Sequence, residues 1–264
     1  MILKRPFELE IMAEAARINR EALEAVEPYI RPGVTTAELN RVAEDAILSR
    51  GAKPAFKGYR GFPASLCTSV NEVVVHGIPD ARALKAGDIV SLDIGSFYRG
   101  YAADMAKTYP VGPVLPNVKR LLEVTERALY AGIAQARAGN RLGDVSAAIQ
   151  ALAEGAGFWV IREFVGHGIG AEFHEAPEVP NYGKAGTGPL LRPGLVLAIE
   201  PMIAQSRTKV RVLADDWTAP TANGSLAAHF EHTVAITADG PRILSSNDQQ
   251  PRALVARQGG GRGA

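Results

Sequence analysis

A single cysteine, Cys67, in 264 residues leaves no partner for an internal disulfide and fits a reducing compartment. No uncharged apolar run approaches the length needed to cross a bilayer. The opening MILKRPFELEIMAEAARINRE meets acids where a secretory signal would carry its apolar stretch. The expected setting is therefore cytoplasmic, without a membrane partner. Charge of one sign is also lacking: 29 Lys and Arg stand against 28 Asp and Glu, a net charge of +1. That balance offers no basic face for nucleic acid and no acidic tract to mimic one. What remains is ample apolar content, 47% of residues, enough for a sizeable core in a chain of one or two domains.

Two short stretches are near-copies. LKAGDIVSLD runs from Leu84 to Asp93 and LRPGLVLAIE from Leu191 to Glu200. Each has a leucine, a cation, a turn glycine and an apolar strand that finishes on an acid. An ionised acid in an apolar strand must be paired, protonated or bound to a cation. The repetition extends upstream: residues 31–52 align with 137–158, placing Arg31 on Arg137, Gly33 on Gly139, Glu38 on Asp144 and Gly51 on Gly157. The order turn, helix, strand, acid recurs, so the two acids are expected to meet at a shared charged site. The period is too long for a solenoid. The fold expected is α+β, a curved antiparallel sheet with outer helices and internal pseudo-twofold symmetry. It would form a single domain over 1–245, followed by a frayed tail over 246–264.

Helical spacing of Phe7, Ile11, Ala15, Ile18, Ala22 and Val26 predicts a helix over 6–27. A second is expected from Thr35 or Thr36 to about Ser49, stopped by Gly51. Two more are expected over 116–136 and 142–154, with Gly155 and Gly157 as stops. Residues 53–80 read as irregular with short strands, 84–110 as a hairpin, and the rest to Ser245 as strands and glycine-rich turns.

Chemistry concentrates in a few acids and imidazoles. With the hairpin turn centred between Tyr98 and Arg99, Asp93 and Asp104 face each other, and two carboxylates so placed repel each other, share a proton or share a cation, unless both are surface acids on an exposed face. Glycines 166, 168 and 170 predict a loop bearing His167, with His174 following. Glu200 ends its strand at Pro201. Glu231 lies in another strand-like run, flanked by His229 and His232, both read as exposed or satisfied histidines. Asp93, Asp104, His167, Glu200 and Glu231 together give four carboxylates and one imidazole, a donor set that two divalent cations would balance. Oxygen-rich ligation with one nitrogen suits Mn, Co, Fe or Zn, and paired metals are a standard device for hydrolysis.

The strings SVNEVVVHGIPD, GHGIGAEFHEAPEVPNY, LAIEPM and HFEHTVAIT, in that order, resemble type I methionine aminopeptidases over about residues 5–245. That family shares the pita-bread fold with prolidase and aminopeptidase P. The resemblance implies removal of the initiator methionine from chains whose second residue is small, by hydrolysis of the first peptide bond. Asp93 and Asp104 would hold one metal, His167 and Glu200 the other, with Asp104 and Glu231 shared. Glu200 would also carry a proton to the leaving amine, His174 would bond the substrate carbonyl, and His76 would contact the substrate near the scissile nitrogen. Tyr59, Phe62, Cys67, Phe173 and Trp217 would line the methionine pocket. By themselves Phe62 and Phe173 read as ordinary core, whereas Trp217 lies in a polar turn where a large aromatic needs a purpose. A monovalent cation near Asn71 and Val73 is implied by the family alone. The implied partners are nascent polypeptide N-termini and, transiently, the ribosome, for a monomeric enzyme. Competing readings are a proline-specific aminopeptidase or prolidase-like enzyme, which usually carries a long N-terminal domain, and a non-catalytic peptide-binding module, which should have lost ligands.

Overall fold

The computed structural model describes residues 1–247; the expected tail lies, from residue 248 onward, outside the described residues. Four helices form where the periodicity places them: α1 (Pro6–Val26), α2 (Thr36–Ser49), α3 (Pro116–Gln135) and α4 (Leu142–Gly155). The first buries Ala15, Ile18, Ala22 and Val26 along one face, but Phe7 at its start is exposed. Thr35 caps α2 in a reciprocal box with Glu38. Gly155 is the last residue of α4 rather than its stop, and the left-handed residue beyond is Gly157, at φ 84°.

The strands follow as β1 (Lys53–Pro54), β2 (Leu66–Val70), β3 (Val73–Val75), β4 (Ile89–Tyr98), β5 (Tyr101–Pro110), β6 (Trp159–Val160) and β7 (Gly166–Gly168). The second series is β8 (Glu175–Val179), β9 (Val196–Ile199), β10 (Met202–Ala204), β11 (Ala219–Pro220), β12 (Ala227–His229), β13 (His232–Thr237) and β14 (Gly240–Ile243). In the first half β4 is central, pairing with β1, β2 and β5. In the second half five strands run in the order β14-β13-β9-β7-β8. All of these pairings are antiparallel.

The repeat is visible atom by atom. Gly33 and Gly139 take φ 91° and 92°, and Gly87 and Gly194 take 92° and 91°. The Gly33 amide donates to the Leu84 carbonyl at 2.8 Å, and the Gly139 amide to the Leu191 carbonyl at 3.1 Å. Each half packs its own helix pair, α1 on α2 and α3 on α4. One apolar cluster joins Ile18, Leu39, Ile47, Leu66 and Ile94 in the first half, and another joins Leu121, Leu129, Ile149, Leu197 and Ile203 in the second. A third cluster lies at the seam, with Met12, Phe56, Phe62, Cys67, Ala103, Phe173 and Val196.

The hairpin expectation needs correction. Tyr98 pairs with Tyr101, so the turn is Arg99-Gly100, both with positive φ, 46° and 83°; this is the two-residue hairpin conformation that matches strand twist. Asp93 therefore faces Ala106, and Asp104 faces Gly95. The two acids are diagonal neighbours on one face rather than directly opposed.

Candidate metal centre and its cavity

The two halves meet along an unusual seam. Thr108, on β5, accepts the His229 amide at 2.9 Å and donates to the His229 carbonyl at 2.8 Å. Thr233, on β13, accepts the Asp104 amide at 2.9 Å and donates to the Asp104 carbonyl at 2.7 Å. Between these two threonine clasps the Glu231 amide donates to the Ala106 carbonyl at 2.9 Å. Backbone and hydroxyl thus fix the segments carrying Asp104, His229 and Glu231 relative to one another.

Every acid expected at the site arrives there. Asp93 on β4 lies against Asp104 on β5, and Glu231 sits in the break between β12 and β13. Glu200 follows β9 directly, with its carbonyl accepting the buried Asn181 side-chain amide at 3.0 Å. His167 is on a strand, contrary to the loop expected from its glycines. Gly166 and Gly168 are there because neighbouring backbone crowds them: a Cβ on Gly166 would stand 2.3 Å from the Ala198 carbonyl oxygen and one on Gly168 2.6 Å from that of Ala176. His167 Nδ1 donates to the Gly168 carbonyl at 2.8 Å, which leaves Nε2 unprotonated in the neutral ring. That Nε2 lies 3.7 Å from Glu200 Oε1 and 3.8 Å from Asp104 Oδ2.

Burial, then repulsion from neighbouring carboxylates, pushes the Asp93, Asp104 and Glu231 carboxyls well above the usual range. Asp93 Oδ1, Asp104 Oδ1 and Glu231 Oε1 are buried without a hydrogen-bond partner. Such a set is unfavourable as charges alone, and a divalent cation resolves it by supplying the missing positive charge and accepting those lone pairs. Ligand atoms of Asp104, His167 and Glu231 lie within 4.8 Å of one another, as do those of Glu200, His229 and Glu231. The residues fit divalent metal ions.

The expectation that His229 is an exposed or satisfied histidine is overturned. His229 is buried, its Nε2 has no hydrogen-bond partner, and it lies 3.5 Å from Glu200 Oε2. The available signal was its spacing, since residues two apart in an extended run share a face and Glu231 is two positions on. His232 matches the satisfied reading: Nδ1 meets Ser245 Oγ at 2.8 Å and Nε2 meets Tyr130 Oη at 3.2 Å.

A cavity of about 480 Å³ opens onto the acids. Tyr59, Phe62, Cys67, His76, Phe173, His174 and Trp217 all line it. Phe62 and Phe173 are both core and lining, at 2% and 5% exposure. Trp217 packs edge-on against Phe62 with centroids 5.1 Å apart, and lies 5.9 Å from the His76 ring. Phe164, 5.4 Å from His76, also lines the cavity and is a residue the sequence reading does not single out. His76 follows β3 at φ 60°, and burial lowers its pKa. The His174 ring lies tilted against that of His167, centroids 4.2 Å apart, and its Nδ1 meets Tyr59 Oη at 2.8 Å; burial and then the neighbouring His167 lower its pKa to about 4. Burial first, and Asp93 second, pushes the Cys67 thiol well up, so Cys67 acts as a small apolar wall. Asn71 is held at φ 59° by Asp88 and Ile89, and its carbonyl accepts the Ala227 amide.

Comparison with known proteins agrees with this geometry. The model of metallopeptidase family M24 matches residues 10–238. Methionine aminopeptidase 1 of Bacillus subtilis is 51% identical over 245 residues, 93% of this chain and 99% of the relative. The solved methionine aminopeptidase of Thermotoga maritima superposes with a TM-score of 0.92 at 46% identity, over 94% of this chain and all of the other. Prolidase of Pyrococcus furiosus shares the fold at a TM-score of 0.74 and 23% identity, with 93% of this chain and 66% of that one covered. With the acids gathered at the seam and the match running through both halves, the chain belongs to metallopeptidase family M24.

Proposed function

We propose that this enzyme removes the N-terminal methionine from peptides and nascent chains whose second residue is small, by hydrolysing the first peptide bond. The observation that carries the reading is the junction of two environments in one cavity. Its floor is the carboxylate and imidazole cluster, and its wall is Tyr59, Phe62, Cys67, Phe173 and Trp217. An apolar wall of aromatics and a thiol suits a flexible thioether side chain.

Asp93 and Asp104 would hold one divalent ion, His167 and Glu200 a second, with Asp104 and Glu231 shared. Bound there, divalent ions supply Lewis-acid polarisation and activation of water; Co, Mn, Fe and Zn all suit the donors. The residues do the rest. The acids at the cavity floor would receive the substrate's free α-amino group, which restricts the cut to the chain terminus. Glu200 would pass a proton to the leaving amine. With Tyr59 Oη donating to Nδ1, the neutral His174 ring carries its proton on Nε2 and can donate to the scissile carbonyl as it gains charge. His76, half in the wall beside Trp217, would meet the substrate near the scissile nitrogen. A monovalent cation near Asn71 and Val73, transient ribosome contact and a monomeric state accompany this reading. No helix among the described residues is long and apolar enough to cross a membrane.

The test is a peptide panel on metal-loaded enzyme: Met-Ala-Ser, Met-Lys-Ser and Ala-Pro-Ser. Release of methionine from the first alone is expected. Preferential cleavage of Ala-Pro-Ser would move the assignment to the proline-specific branch.

A further inference from the structure

We propose that His229 is a sixth protein donor to the divalent centre, adding a second imidazole to that of His167. The inference rests on the reading of the acid cluster as a divalent site. Its warrant is a contrast between two histidines three residues apart. His232 has a hydrogen-bond partner on each ring nitrogen, whereas His229, 1% exposed, has an Nε2 with none. That nitrogen points among carboxylates, 3.5 Å from Glu200 Oε2 and 4.0 Å from Glu231 Oε2.

Both spacings are longer than a hydrogen bond, and the 3.5 Å to Glu200 is a separation that two ligands of one ion adopt. An N–H···O contact is normally about 2.7–3.2 Å. Two donors each about 2.0–2.2 Å from one ion stand about 3 Å apart at right angles and about 3.5 Å apart in tetrahedral arrangement. Glu200 is flanked symmetrically: His167 Nε2 approaches Oε1 at 3.7 Å, and His229 Nε2 approaches Oε2 at 3.5 Å. His229 is also held in place, because Thr108 Oγ1 bonds both its amide and its carbonyl and its strand pairs it with Met202. A neutral imidazole adds a lone pair without adding charge. The resulting set, four carboxylates and two imidazoles, favours Zn, Fe or Co over Mn more than a single-imidazole set does.

The experiment uses the full chain, stripped with chelator and titrated with Co(II) in the absence of peptide. Calorimetry gives the affinities, and proton NMR of the Co(II) protein counts strongly shifted, exchangeable imidazole N–H signals. Two such signals are expected in the wild type and one in His229→Gln, with Co(II) affinity reduced about tenfold or more at one site. His167→Gln should behave similarly. A single signal in the wild type, or unchanged Co(II) affinity in a folded His229→Gln, overturns the proposal. The wild-type count stands even where the variant fails to fold. Absence of any Co(II) binding by the wild type overturns the divalent reading itself, an outcome separable from the loss of one donor.

Discussion

Glu200 is held at its carbonyl by Asn181, and its carboxylate lies between the His167 and His229 imidazoles at 3.7 and 3.5 Å. A carboxylate placed at the cavity floor suits proton transfer, which is worth about 10²–10⁴-fold in rate. Glu200→Gln should lose turnover on that scale while its melting temperature stays near wild type, and near-normal turnover would remove its role. Trp217 packs on Phe62 and His76 at the cavity wall, so Trp217→Ala should narrow the preference for methionine over leucine or alanine in the first position. An unchanged side-chain preference in a competition assay would place the specificity pocket elsewhere. His232 gives a pH prediction. Burial lowers its folded pKa to about 4, below the ordinary value of about 6.5. As pH falls through that window the unfolded chain takes up a proton that the folded chain refuses, so this residue's contribution to stability falls. Denaturant unfolding of metal-free wild type and His232→Gln should therefore diverge between about pH 6.5 and 4, with the wild type showing the extra loss on acidification. The carboxyls of Asp93, Asp104 and Glu231 titrate in both proteins and cancel in the difference.

At the scale of elements, helices and strands were legible where periodicity and caps agreed, as in α2 with its Thr35–Glu38 box. The hairpin was misplaced by one residue because Arg99 adopts φ 46°, a conformation its side chain disfavours. Moving the turn centre by one residue moves each cross-strand partner by two, which preserves the face. Asp93 and Asp104 therefore stayed together although their register differed. His167 was read as a loop residue because Gly166 and Gly168 suggest irregular backbone; packing against Ala198 and Ala176 requires them in a strand. Neither threonine clasp was foreseen, since a threonine in a strand carries no sign of which backbone it will meet. Thr108→Val keeps the shape but leaves the His229 amide and carbonyl without their hydroxyl partner. That should cost about 1–3 kcal/mol per unsatisfied buried group, read by chemical denaturation, and Thr108→Ser should recover most of it.

Over the whole molecule, the duplicated turn, helix and acid-tipped strand made the pseudo-twofold architecture readable, because both copies use glycines at matching positive φ. The place where the copies meet made the site readable in outline: an acid ending a strand in each half predicts one charged centre between them. Its second imidazole, His229, is signalled only by its two-residue spacing from Glu231, a cue too slight by itself to set it apart from the satisfied His232 nearby. The cavity wall was assigned by resemblance, since aromatics such as Phe62 and Phe173 serve both the core and the pocket. The central claim is that the seam cluster is a divalent centre that hydrolyses a terminal methionyl bond. The most direct measurement is methionine release from Met-Ala-Ser by chelator-stripped protein before and after Co, Mn, Fe or Zn is restored singly. The account predicts no release without metal and recovery with one or more of these ions; release that persists undiminished after complete metal removal would contradict it.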